Sequence, residues 1–499
     1  MRPSRVATMA GAVLLLGLIA YSLSGESEDA GAGGVFYTVT SNADPGDGNC
    51  FTNGCTLREA INLANGGQGN TIAFDLPGCP ATPINCVIEV GSALPAVNQP
   101  FTVIDGTTQP GYAGQPIVNL SGDGAGAANG LVLSQGSTDV MGLVIENFQQ
   151  SGIVTAGGTA NINITDNAIF ENGFDGIVLG SGFYFIARNI LALNGQAGVD
   201  GEACPTNTFF TSNDFLANGL GHGGIQICGD DHEVHFNRFV GNGTAIDDIF
   251  DSGVPVDAEN NWFGCNAGPG DPFCDNVADA SIDADPWLVM NFGATPTTIT
   301  EGGMSTLTAH FNMNSNGADT SLLGALRDSE SAVNFQTDLG SLGSNSILKD
   351  TVDGVAVATL NADTGPGTAH VSATSGNETL MTEVMIEPAP TPTASPIPTA
   401  SPTLTPSPTQ TPGQLKGDYN CSGVIEIGDP LPLLTDIADV DALTPCVGVG
   451  VAGAPLVYGD VNCDQQVTVA DVVALLQYVG GVTIEPALPS GCAAIGSEQ

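Results

Sequence analysis

An Asn-x4-Asn-Gly phrase recurs four times between residues 140 and 265, and its period dictates most of what this stretch can fold into. The copies open at Asn167, Asn189, Asn213 and Asn237, at spacings of 22, 24 and 24 residues, and close on Asn172, Asn194, Asn218 and Asn242. A period in this range, built of short apolar runs and Gly/Asn turns, marks a solenoid in which each repeat is one coil. Stacked coils bring equivalent residues to about 4.8 Å from one another, where buried amides hydrogen-bond from coil to coil. The asparagines are therefore expected to be structural, with Ile169, Leu191, Phe215 and Phe239 filling the interior.

A solenoid needs its ends covered, because a terminal coil otherwise exposes strand edges and core. The run from Cys55 to Asn65 predicts a short amphipathic helix. Thr56 and Glu59 stand at capping-box spacing, and Leu57, Ala60, Ile61 and Ala64 make one apolar face. This run resembles the CSLREA motif that opens many exported bacterial β-helix proteins, with Thr56 in place of Ser. The segment Ile104 to Tyr112 resembles the same group, and Asn260-Asn261-Trp262-Phe263-Gly264 resembles its closing Asn-Asn-Trp-Trp-Gly phrase. The resemblance covers residues 35 to 290 and implies a right-handed parallel β-helix of the pectate-lyase-like kind, taken as domain 35–292.

Residues 293–387 lack helix signals and alternate in short runs between Gly-rich turns, which predicts a β-sandwich. The phrases from Val333 to Gly340, Asp353 to Leu360 and Gly367 to Thr374 resemble bacterial Ig-like domains, usually stalks. Residues 388–413 form a Pro/Thr/Ser linker. Proline at that density keeps a chain extended, so the 25 residues from Pro388 to Pro412 span roughly 75 Å.

The last part, 414–499, writes one twelve-residue pattern twice. Asp418, Asn420, Ser422 and Asp429 in the first copy, and Asp460, Asn462, Asp464 and Asp471 in the second, occupy positions 1, 3, 5 and 12. Val424 and Gln466 stand at position 7, which supplies a backbone carbonyl in an EF-hand loop. Each loop runs into an apolar helix-length segment. The doubled unit resembles a type I dockerin, which implies calcium binding and a cohesin-like domain or surface scaffold as partner. Gln465 replaces the turn glycine of the second loop, so that site is expected to bind calcium more weakly. Ile427-Gly428 and Val469-Ala470 replace the Ser-Thr pair with which the family contacts cohesin. The fold class is thus mainly β: a parallel β-helix, an Ig-like sandwich and a small α-helical EF-hand-like dockerin domain.

Residues 1–24 read as a secretory signal: Arg2 and Arg5, an apolar run from Met9, then small residues. The membrane is expected to be met only through that segment. Twelve cysteines fall in close pairs, Cys50/Cys55, Cys79/Cys86, Cys204/Cys228, Cys265/Cys274, Cys421/Cys446 and Cys463/Cys492, as local disulfides of a secreted, extracellular or cell-surface protein. The net charge of −45 comes from scarcity of cations, two lysines and six arginines. It disfavours nucleic acid and strongly acidic polymers.

Catalytic signals are sparse. The best acidic group is Asp230-Asp231-His232-Glu233, with His222 one partial coil earlier. Asp230, Asp231 and His222 are the candidates for hydrolysis, against a polar coil corner as the plain alternative. His232 and His235 point to opposite faces of a strand and do not pair on a metal. Asp247, Asp248 and Asp251 read as an irregular acidic loop. Of Phe183, Tyr184 and Phe185, the best group for stacking on sugars, at least one must face inward. No nucleophile elbow, phosphate loop or dinucleotide fingerprint occurs. The leading expectation is a secreted, calcium-anchored protein whose β-helix engages extracellular polysaccharide or a surface partner. A polysaccharide lyase or glycoside hydrolase, and a purely structural surface protein or adhesin, stay open.

Overall fold

The computed structural model describes residues 34–389, apart from 52, 82, 157, 159–160, 220–222, 230, 250–254 and 330–331, together with 472–473 and 475–476. The expected signal segment, the expected linker from 390 onward, the two expected calcium loops and Cys421, Cys446, Cys463 and Cys492 lie outside the described residues.

The repeat region coils into three parallel sheets. Among the described residues the first sheet has ten strands, from Phe36–Val39 to Ile282–Asp283. The second has seven, from Val87–Glu89 to Arg238–Val240, and the third seven, from Leu131–Leu133 to Asn276–Val277. Each strand pairs with the equivalent strand one coil away, so residues stack at the repeat period: Ile162 on Tyr184, and Tyr184 on Thr208.

Two asparagine ladders hold the corners of the coil. Asn167 Nδ2 donates to Asn189 Oδ1 at 3.1 Å, and the pattern continues to Asn213 at 3.0 Å, Asn237 at 2.9 Å and Asn261 at 3.1 Å. The second ladder runs Asn172, Asn194, Asn218 and Asn242, ending on Asp275. The residue before each ladder position adopts a left-handed backbone, as at Asp166, Arg188, Ser212, Phe236 and Asn260, with φ of 54–58°. That conformation costs roughly 1 kcal/mol for a residue with a Cβ, and the buried amide bonds on the next residue offset it. Between the ladders, Phe215 and Phe239 stack at 4.9 Å and Phe239 and Phe263 at 5.6 Å.

At the first end, helix α1 (Leu57–Ala64) lies over the core with Leu57, Ala60, Ile61 and Ala64 buried. Thr56 and Glu59 form the reciprocal capping box, and Glu59 Oε1 also accepts from the Gly48 and Asn49 N–H groups. Arg58 grips Asp44 through Nε and Nη2, both at 2.7 Å. Disulfides join Cys50 to Cys55, Cys79 to Cys86, Cys204 to Cys228 and Cys265 to Cys274. No helix among the described residues is long and apolar enough to cross a membrane.

At the other end an antiparallel module begins with strand Leu288–Thr295, which starts before position 293. This strand pairs with Met304–Asn314, which pairs with Val355–Asn361. A five-stranded sheet faces this three-stranded one across a core that includes Leu307, Phe311, Phe335, Leu360 and Val384. Trp262, from the last coil, is part of that core and meets Phe311 edge-on at 5.0 Å. Asn377 N–H donates to the Gly264 carbonyl, and Asn266 N–H to Glu378. The closing phrase of the solenoid is thus a shared wall, continuous with the module behind it.

Candidate functional site

The outer face of the first sheet carries an ordered display of side chains. In a strand, successive residues alternate between faces, so Ile162, Ile164, Tyr184, Ile186 and Phe210 point inward while their neighbours point out. Strand register then aligns the outward residues into a row: Asp139, Asn163, Phe185, Phe209, Glu233, Asp257 and Asp283. Phe185 and Phe209 are neighbours in this row, one coil apart. On one side Asn163 Nδ2 donates to Asp139 Oδ1 at 2.6 Å. Burial pushes the Asp139 carboxyl above the usual carboxylate range, against the opposing hydrogen bond from Asn163.

On the other side the row becomes acidic. A parallel row two residues further along the strands adds His235, Glu259 and, by the same register, Asp285. His235 Nδ1 bonds the Glu259 carbonyl at 2.9 Å, and Nε2 lies 3.7 Å from Asp257. Burial raises the Glu233 carboxyl; His235 opposes this and Asp257 adds to it. Glu259 is raised by burial and then by Asp257 and Asp283.

Where these strands end, a segment of the antiparallel module returns over the corner of the coils. Ser212 Oγ donates to the Ala325 carbonyl at 2.9 Å. Arg327, 6% exposed, donates through Nε to the Arg188 carbonyl at 3.0 Å and through Nη2 to Gln115 Oε1 at 3.0 Å, with Nη1 3.9 Å from buried Asp214. Ser329 Oγ also bonds Asp214. Between segment and coils lies a cleft of about 320 Å³, lined among others by Gln115, Arg188, Ser212, Leu326, Asp328 and Asp353. Arg188 is half exposed and held by Asp166 through Nε and Nη2, at 2.7 and 2.6 Å. Burial raises the Tyr112 phenol beside this group, and Asp166 adds to the effect.

Of the three residues that the sequence offers for catalysis, Asp231 is the one among the described residues. Asp231 is exposed on a left-handed backbone, φ 60°, while Asp230 and His222 lie outside the described residues. His232 is buried and structural, its ring nitrogens meeting the Cys228 carbonyl and the Thr208 N–H. His235 faces outward, apart from it. The expected acidic loop at Asp247 and Asp248 is instead strand Thr244–Asp248 of the third sheet: Asp247 stacks on Gln226, and Asp248 is buried and accepts from Ser281. Pairing with the coil before it extends that segment into a strand; Asp251 lies outside the described residues. Tyr184 turns inward, its hydroxyl bonded to Thr155 and the Gly180 carbonyl, which leaves Phe183 and Phe185 exposed. Arg188 sits at a coil corner and Arg238 within the second sheet, on different faces. No local sequence pattern marks the cleft. Its halves lie 139 and 212 residues apart in the chain, and the only local hint was an arginine in a sequence that has few.

No protein-family profile matches the chain, and no curated protein sequence does. Among solved structures it aligns with the pectate lyase Pel9A at 13% identity, over 54% of this chain and 76% of that one, with a TM-score of 0.30. It aligns with the enzymatically active domain of tailspike protein 2 of bacteriophage CBA120 at 12% identity, over 64% and 60%, with a TM-score of 0.21. Domains 4 and 5 of the S-layer protein SbsC align at 16% identity, over 21% and 55%, with a TM-score of 0.15. The chain therefore spans little more than half of the S-layer chain and three-fifths of the tailspike domain. Likeness of this degree transfers no activity, and the parallel β-helix rests on its own strand register.

Proposed function

We propose that this is an extracellular, calcium-anchored protein whose β-helix binds a neutral polysaccharide along the outer face of the first sheet. The observation that carries the reading is the in-register pair Phe185 and Phe209, flanked by Asn163 and Asp139 on one side and Glu233 on the other. Aromatic faces pack against the apolar faces of sugar rings, and amide and carboxylate groups beside them bond the hydroxyls. A row that repeats every coil, at about 4.8 Å, suits a linear polymer lying along the solenoid axis. The net charge of −45 disfavours an anionic one.

Attachment falls to residues 414–499. Asp418, Asn420, Ser422 and Asp429, with Asp460, Asn462, Asp464 and Asp471, form a hard-oxygen donor set suited to Ca²⁺, with the carbonyls of Val424 and Gln466 at position 7. A calcium-ordered unit of this kind would dock on a cohesin-like domain or surface scaffold. Local disulfides accord with an exported protein. The test is co-sedimentation of the full-length protein with insoluble neutral glycans, with the double substitution Phe185→Ala/Phe209→Ala expected to abolish it.

One observation favours a second reading, glycoside hydrolysis. Glu233 and Asp257 are in-register neighbours one coil apart, which sets two outward carboxyl groups side by side, the pair of groups that a glycosidase requires. The Glu233 carboxyl is raised as a general acid requires. Reducing-sugar release that disappears in Glu233→Gln would establish it.

A further inference from the structure

We propose that the cleft between the returning segment at Ala325–Asp328 and the coil corner at Arg188 and Ser212 is a specificity pocket for one neutral sugar unit, selected against uronates. The inference rests on the polysaccharide reading and deepens it, because the cleft adjoins the aromatic row. Arg188 follows Phe185 by three residues, which is about 10 Å along a strand, and Ser212 follows Phe209 likewise.

The chemistry of the lining decides the ligand class. Its two cations are already engaged: Arg188 by Asp166, and Arg327 by Gln115 and the Arg188 carbonyl. What faces the cleft is then a set of leftover donors and acceptors. Arg188 keeps its Nη1 hydrogens, and Gln115 keeps its amide NH₂ because its oxygen is taken by Arg327. Ser212 has given its hydrogen to Ala325 and offers lone pairs. Asp328 uses Oδ1 on the Asp353 N–H and offers Oδ2, and the Asp353 carboxylate completes the acceptors.

Donors and acceptors interleaved over a few ångströms suit vicinal hydroxyls, each of which both gives and accepts a hydrogen bond. A carboxylate fits worse. Two guanidiniums, both engaged, stand against the carboxylates of Asp166, Asp328 and Asp353, so the lining is net negative. The volume, about 320 Å³, holds a monosaccharide and not a chain.

The experiment titrates the full-length protein with methyl glucoside, methyl galactoside, methyl mannoside and methyl galacturonoside, read by saturation-transfer NMR and calorimetry. At least one neutral glycoside is expected to bind, at least about fivefold more tightly than the uronate. Arg188→Ala should weaken it about tenfold, the loss of one charge-assisted hydrogen bond. The melting temperature should hold, since Arg188 pairs at the surface. The double substitution Asp328→Asn/Asp353→Asn should weaken neutral binding, by trading carboxylate for amide acceptors, and bring the neutral-to-uronate affinity ratio to about one. Absence of neutral binding, tighter uronate binding, or indifference to Arg188→Ala would each overturn the pocket. Phe185→Ala/Phe209→Ala separates the two claims: it should abolish polymer binding and leave the methyl glycoside in place. Glycoside binding without any polymer binding would sink the face reading alone, and the reverse would sink the pocket alone.

Discussion

Replacing Asn213 with alanine removes the middle rung of the first ladder, and the structure sets the size of the loss. The Asn213 side chain is fully buried; its Oδ1 accepts from the Asn189 N–H at 2.9 Å and from Asn189 Nδ2 at 3.0 Å. Its Nδ2 donates to the Ile186 carbonyl at 2.7 Å and to Asn237 Oδ1 at 2.9 Å. Asn189 Nδ2 keeps the Ile164 and Ala187 carbonyls, and Asn237 Oδ1 keeps the Asn213 N–H, so those two partners lose only part of their bonding. The Asn189 N–H loses the acceptor it has. A buried donor without a partner costs about 1–3 kcal/mol and each of the three further bonds about 1, for a total of about 4–6 kcal/mol. For a unit of this size that is a fall on the order of 10 °C in melting temperature. The assay is thermal and denaturant unfolding by far-UV circular dichroism, with Asn163→Ala as the matched control. Asn163 is the same residue type on an outward position, and its loss should cost within about 1 kcal/mol. If Asn213→Ala costs no more than Asn163→Ala, the ladder is not what holds the coils in register.

The capping carboxylate predicts an acid limb. Burial alone would raise the Glu59 carboxyl, but hydrogen bonds from Thr56, Gly48 and Asn49 hold it below the ordinary glutamate value. A folded pKa below the unfolded one, about 4.3, gives stability that is fully present above that value and lost as pH falls through the lower folded one. Glu59→Gln should therefore flatten the melting temperature profile below about pH 4, as read by calorimetry. Arg327→Ala leaves Asp214 buried without its cation and should destabilise by about 3–5 kcal/mol. Faster limited proteolysis near residues 320–330 is the readout, and Arg327→Lys should not restore resistance because a single ammonium cannot make the forked contacts. Calcium should raise the melting temperature of the full-length protein and a chelator reverse the gain, with Asp418→Ala reducing the effect more than Asp460→Ala; no calcium dependence would remove the anchoring claim.

Legibility in the sequence followed the range of the interaction. The ladders were readable because a single spacing of 22 to 24 residues carries both the asparagines and the apolar residues between them. The capping helix was readable because Thr56 and Glu59 act within one turn. The left-handed corners were not, since Asp166, Arg188, Ser212 and Phe236 share no chemistry; the amide bonds of the residues that follow impose their conformation. The Phe185–Phe209 row required strand register, which fixes which outward residues become neighbours. Asp247 and Asp248 read as a loop because two adjacent carboxylates have low strand preference, and pairing with Gln226 and Ile227 overrides it. The cleft depends on Arg327 crossing from the antiparallel module to Arg188 and Gln115, a contact that no local pattern encodes.

The most direct test of the glycan-binding face is depletion of the full-length protein from solution by insoluble neutral polysaccharides, with and without Phe185→Ala/Phe209→Ala. The account predicts that at least one neutral polymer removes the wild-type protein, that the double substitution stays in solution with an unchanged melting temperature, and that a chelator leaves the binding intact. Equal depletion of wild type and double variant, or no depletion by any neutral glycan, would contradict it.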